Sequence, residues 1–321
     1  MINHLLFFSG QSPIAVSVGE ESLRAHAMDL MDQAAQTSGG AMILPLVTAL
    51  DAFRTLQDGA GAARAQSLLV GVRFTYALEQ LFEEIMDGFE SGLYDPFASA
   101  AGPKKSVQYF RLVLEEAEVP FFDESQDKPL ATLLRFARRF IDRAETGQWA
   151  HLKGWASSIA SATSSGGAHA FSPEARAGLH LFEAWLALTR QEFAQVTEEL
   201  LCAIRLIPRE RGGRLHYFAG LSFILPPDAS MNELHRATAH FRDARNALEA
   251  EGQTTHWIRQ LLATTYERLA RHHTEGNPIL RGHFEDQAFQ ALMNLDPVLP
   301  QARVITWADK NRRGWWSRLW R

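Results

Sequence analysis

Apolar residues in the second half of the chain recur with helical spacing. Phe193, Val196, Leu200 and Ala203 step by three, four and three, which keeps one face of a helix apolar. Leu234, Ala237, Phe241 and Ala244 repeat those steps forty-one residues later, and Trp149, Leu152, Ala156 and Ile159 use them forty-four residues before Phe193. In 193–203 and 234–244 the first position is large and the last is small, as a helix needs if it is to cover one neighbour and let another backbone come close. The spacing predicts that 149–159, 193–203 and 234–244 are the second helices of consecutive antiparallel pairs.

The same periodicity predicts helices over roughly 20–37, 41–57, 61–90, 104–118, 128–146 and 147–162 in the first half. Ser38-Gly39-Gly40, Asp58-Gly59, Asp95-Pro96 and the segment from Pro120 to Asp127 separate them. Further helices are expected near 173–189, 192–207, 213–225, 231–250, 254–273, 283–295 and 300–319. They are interrupted at Pro208, Pro226-Pro227, Gly276-Asn277-Pro278 and Pro297, because proline lacks a donor and disfavours helix in the residue before it. Only residues 3–18 read as strand material: Leu5 to Phe8 and Ile14 to Val18 flank the turn residues Gly10-Gln11-Ser12-Pro13, as in a short hairpin or an extended arm. Serines and the Gly166-Gly167 pair over 157–167 mark a subdomain border. The expected organisation is a helical region over 1–145, helix pairs over 146–300, and a terminal helix with its tail over 301–321.

Residues preceding the periodic helices sharpen this picture. Ala219-Gly220-x-x-Phe223 and Leu262-Ala263-x-x-Tyr266 match the Leu-Gly-x-x-Tyr portion of the tetratricopeptide pattern. Ala203 followed by Pro208, and Ala288-Phe289 leading to Asn294-Leu295-Asp296-Pro297, are similar to that family's helix ends. Residues 145–297 therefore resemble a degenerate tetratricopeptide array, with His180 at the tryptophan position and Glu183 at the leucine position of one segment. Spacing exceeds the family's usual repeat of about thirty-four residues. The resemblance implies an all-α fold of antiparallel helix pairs stacked as a solenoid behind a diverged helical N-terminal region. By analogy with the family it implies a scaffold or adaptor that binds a protein or peptide.

Composition agrees with an ordinary folded helical protein: 46% of residues are hydrophobic and 21% charged. The net charge of −5 is unevenly spread, with 12 basic against 20 acidic side chains in 1–150 and 20 against 17 in 151–321. A single cysteine, Cys202, excludes an intramolecular disulfide and a cysteine-based zinc cluster, which suits a reducing, cytoplasmic setting. The first residues lack the basic and long apolar stretches of a secretory signal, and no window is apolar enough to span a bilayer.

No motif announces a reaction. His235, His240, His256, His272, His273 and His283 cluster toward the C-terminus, but His235 and His240 are five apart where a helical metal site needs four, so no metal or other cofactor is expected. Gly220-Leu221-Ser222-Phe223 lacks the second glycine of a nucleophile elbow, and Cys202, between Leu201 and Ala203, reads as a packed thiol. Neither Gly59-Ala60-Gly61 nor Gly166-Gly167 carries the Gly-Lys-Ser/Thr ending of a phosphate loop. Arg135, Arg138, Arg139 and Arg143 alternate with Phe136 and Phe140 as on any amphipathic helix, and the surrounding half is acidic, so no nucleic-acid partner is expected. Arg209, Arg211 and Arg214 are expected to face a helix C-terminus.

The end of the chain is the sharpest local anomaly. Trp315, Trp316, Leu319 and Trp320 alternate with Arg312, Arg313, Arg318 and Arg321, placing three of eight tryptophans within six residues. Tryptophan carries an apolar ring beside a donor, and arginine is attracted to anionic surfaces. These eight residues are the expected docking element, for a protein partner, a second copy of the chain, or an anionic membrane surface, with packing back onto the last helix pair as the alternative. The sequence thus favours a non-catalytic, cytoplasmic adaptor. A peripheral membrane component tethered by its tail is the second reading, and an enzyme whose site is assembled from distant residues is the third.

Overall fold

The computed structural model describes residues 19–36, 39–92, 102–118, 128–155, 158–159, 171–190, 192–208, 211–226, 228–253, 255–273 and 276–293. Among these the secondary structure is entirely helical. Eleven α-helices follow in order: α1 Glu20–Gln36, α2 Ile43–Thr55, α3 Gly59–Gly92, α4 Ser106–Ala117, α5 Lys128–Thr146, α6 Pro173–Thr189, α7 Phe193–Leu206, α8 Gly213–Ile224, α9 Met231–Ala250, α10 His256–His272 and α11 Pro278–Met293. The expected hairpin or arm over 3–18, the helix over 300–319 and, apart from residues 158–159, the loop over 157–167 lie outside the described residues.

Each helix packs on its neighbours in the chain, and α3 also receives α6. Packing is more extensive within α6–α7, α8–α9 and α10–α11 than between α7 and α8 or between α9 and α10. The buried apolar residues form two clusters that meet along α3. One joins α1, α2 and the first half of α3 up to Leu69, and the other runs from Val70 to Leu292. An aromatic nest occupies the second: Phe74, Phe110, Phe136, Phe140, Trp149 and Phe182 meet mostly edge to face or tilted, with neighbouring centroids 4.5–6.3 Å apart. Such rings contribute large buried areas as well as favourable edge-to-face contact.

Local chemistry explains where the helices begin. Ser172 accepts from Ala175 N and donates to Glu79 on α3, and Pro173 follows at the first helical position, where a missing N–H costs nothing. Ser230 and Glu233 form a reciprocal capping box at the head of α9. Glu84 of α3 accepts from the backbone N–H groups of Lys105 and Ser106 and from Ser106 Oγ, so a carboxylate on one helix caps the start of α4. At the other end, Arg268 of α10 donates to the carbonyls of Ile224 and Pro226, capping the exit of α8.

Two expectations change. The single helix expected over 147–162 is instead a 3-10 turn over Trp149–Leu152, broken at Gly154, with helical backbone again at Trp155 and at Ser158 and Ile159. Gly147 and Gly154 have φ of +70° and +80°, a left-handed conformation that ends a helix, and Glu183 accepts from Gly154 N. Trp149 and Leu152 are buried nonetheless, because spacing by three serves a tight turn as well as a helix, and Ile159 is buried on the helical backbone beyond the break. The segment 149–159 is therefore not a second helix equivalent to α7 and α9. The other change is α11, which starts at Pro278 rather than 283: Asn277 accepts from Leu280 N, so the proline opens the helix instead of interrupting the previous one.

Candidate functional site

Helices α6 and α8 are the inner elements of the C-terminal half. On α8 every residue from Tyr217 to Ile224 is buried, and only Arg214 and His216 reach partial exposure. A helix apolar on all sides is enclosed on all sides. Its closest approach is to α9: a Cβ placed on Gly220 would lie 2.6 Å from the Phe241 ring, inside the distance side chains tolerate. Ala203 on α7 and Ala244 on α9 are fully buried, in keeping with small residues where helices converge. The positions that depart from the tetratricopeptide pattern carry polar links. His180 Nδ1 lies 2.8 Å from Glu199 Oε2 across α6–α7, and Glu183 serves Gly154.

The α8–α9 seam carries a cluster that the spacing of histidines along the chain does not reveal. His216 Nδ1 and His240 Nδ1 are 3.0 Å apart, with Asp243 Oδ2 3.8 Å from His216 Nδ1. Phe223 stacks on His240 at 5.7 Å, and the Arg236 guanidinium lies 6.0 Å from the Phe223 ring centroid. Burial and then the nearby His216 push the His240 pKa down to about 4. The usable signal in sequence is positional: His216 is one helical turn before Gly220, and His240 adjoins Phe241.

Other candidates resolve into structural roles. Among the described residues no group of three or more histidine, cysteine or acidic side chains converges as metal ligands. Ser222 Oγ donates to Ala219 O and accepts from Thr197, so its hydroxyl is committed within the helix packing. Cys202 is half-buried rather than packed inward, and burial followed by the Glu199 carboxylate pushes its thiol pKa up, away from thiolate reactivity. On α5, Phe136 and Phe140 face the core, while Arg139 lies over Trp155 at 4.9 Å and Arg143 binds Gln148. The arginines and phenylalanines thus occupy opposite faces. Arg211 pairs with Glu174 and Arg214 with Asp87, side-chain partners rather than the helix C-terminus expected for them. Arg209 lies outside the described residues.

Among the described residues, exposed large apolar side chains are few. Ile279 and Leu280, adjacent at the head of α11, are 83% and 39% exposed, and Leu44 stands alone at 75%. No helix among the described residues is long and apolar enough to cross a membrane. Arg312, Arg313, Trp315, Trp316, Arg318, Leu319, Trp320 and Arg321 lie outside the described residues. Comparison with known proteins gives no match to a family model, a curated protein or a solved structure.

Proposed function

We propose that the chain is a non-catalytic adaptor that binds a protein partner through the outer surfaces of α6 to α11. The observation that carries the proposal is the packing of three successive helix pairs around enclosed inner helices, with Gly220 beneath Phe241 and the small residues Ala203 and Ala244 buried in phase. Spending residues on mutual helix contact and leaving an extended polar exterior is the economy of repeat proteins, which recognise partners over broad surfaces rather than in a deep cleft. Ile279 and Leu280 give that exterior an apolar point of contact.

Light scattering coupled to gel filtration of the full chain isolated from its native cells tests this reading. The expected result is a particle heavier than the 36.0 kDa chain, with a second protein at fixed stoichiometry. Recovery of the chain alone, together with turnover of a small-molecule substrate, would overturn it. A second reading, attachment to anionic membrane surfaces, rests on the basic tryptophan-rich residues 312–321. Flotation of the full chain with anionic vesicles in the absence of any other protein would favour that reading.

A further inference from the structure

The His216–His240 contact sits where movement would have the largest effect on the C-terminal half. His216 lies one turn before Gly220 on α8, and His240 directly precedes Phe241 on α9. The two imidazoles therefore flank the point at which the α8 backbone and the Phe241 ring come closest. Their Nδ1 atoms are 3.0 Å apart and the ring centroids 5.1 Å apart, with the planes inclined by 37°. At that separation one nitrogen donates and the other accepts, which requires at least one imidazole to be neutral. When both are protonated, two N–H groups and two positive charges face each other.

The surroundings make that second charge costly. Phe223 of α8 covers one face of His240, replacing water with a ring. Arg236, one turn earlier on α9, adds a positive charge, and Asp243 on the same helix supplies the opposing negative one. Asp243 Oδ2 lies 3.8 Å from His216 Nδ1, which sets that negative charge beside the pair. We infer that the His216–His240 pair is an acid-operated latch on the α8–α9 seam, shut while one imidazole is neutral and forced apart when both carry a proton. Opening it separates Phe241 from Gly220 and loosens the inner helix on which α7 and α9 pack. The depressed pKa of His240 places this event between pH 6.5 and about 4, so the seam is shut at neutral pH.

The test uses the full chain. Imidazole resonances are followed by NMR from pH 7.5 to 3.5, and hydrogen exchange over residues 213–250, corrected for intrinsic pH dependence, is compared with that over 59–92. The latch predicts that His240 takes its proton well below pH 6. It also predicts that exchange over 213–250 rises by roughly ten- to thirtyfold between pH 7.5 and 5, the size that a displaced imidazole pKa allows, while 59–92 changes far less. In His240→Gln, whose amide keeps hydrogen-bonding capacity without titrating, the rise disappears. A wild-type His240 that titrates near 6.5 overturns the inference, and this result does not depend on whether the variant folds. So does the same acid-induced exchange in wild type and His240→Gln.

Discussion

Gly220→Ala is the smallest perturbation that reports on the packing of α8 against α9. The added Cβ would fall 2.6 Å, 2.7 Å and 3.0 Å from three atoms of the Phe241 ring. That ring is fully buried, so it cannot swing into solvent and must displace its own neighbours. Overpacking of this kind costs about 1–3 kcal/mol. Alanine also stabilises a helix interior over glycine by roughly 0.5–1 kcal/mol, which offsets part of the cost. The net expectation is destabilisation by about 0.5–2 kcal/mol.

Gly282 in α11 provides the internal control, because a Cβ there meets nothing within 4 Å and its φ is not positive. Gly282→Ala should stabilise by roughly 0.5–1 kcal/mol through backbone entropy alone. Urea unfolding of the two variants, read as midpoint shifts at unchanged slope, should therefore give opposite signs. Adding Phe241→Leu to Gly220→Ala should recover part of the loss, since side chains in contact couple by about 0.5–3 kcal/mol. Gly220→Ala stabilising to the same degree as Gly282→Ala would refute the close approach of α8 and α9.

Ala244→Leu should destabilise by about 1–3 kcal/mol in the same assay, because Ala244 is fully buried on α9 and the extra volume has no space. Glu84→Ala should cost roughly 1–3 kcal/mol and fray α4 first, as seen by hydrogen exchange over 106–117, since it leaves three donors without their acceptor. Acidification should lower stability in wild type. His240 is neutral in both states above pH 6.5; below that the unfolded chain takes the proton first, so stability falls until about pH 4 and then levels off. The His240 contribution, discounted for partial exposure, is up to about 2–3 kcal/mol, and urea midpoints of wild type and His240→Gln across pH 7.5 to 4 measure it. Deleting residues 310–321 should leave the unfolding midpoint and partner binding nearly unchanged while removing any flotation with anionic vesicles, as read by one melt and one binding assay.

Helices with strong end signals were legible from the residues alone. Periodicity, Ser172-Pro173 and the Ser230 capping box bound α6 and α9, and both match the expected 173–189 and 231–250. Trp149 and Leu152 misled because spacing by three also fits a 3-10 turn, and the positive φ of Gly147 and Gly154 becomes visible only in the backbone. Asn277-Pro278 was ambiguous for a similar reason: proline both stops one helix and starts the next, and the Asn277 cap decides which. The His216–His240 pair was not legible, since two residues twenty-four apart meet only once α8 and α9 are packed. The Gly220–Phe241 approach was not legible either, since it too exists only once α8 is packed on α9.

Hydrogen exchange on the full chain, measured free and within the complex isolated from its native cells, tests the adaptor reading most directly. The account predicts slowed exchange at exposed positions along residues 173–293, including the Ile279–Leu280 head of α11, with little change in α1 and α2. Protection confined to residues 310–321, or none anywhere in the chain, would contradict it.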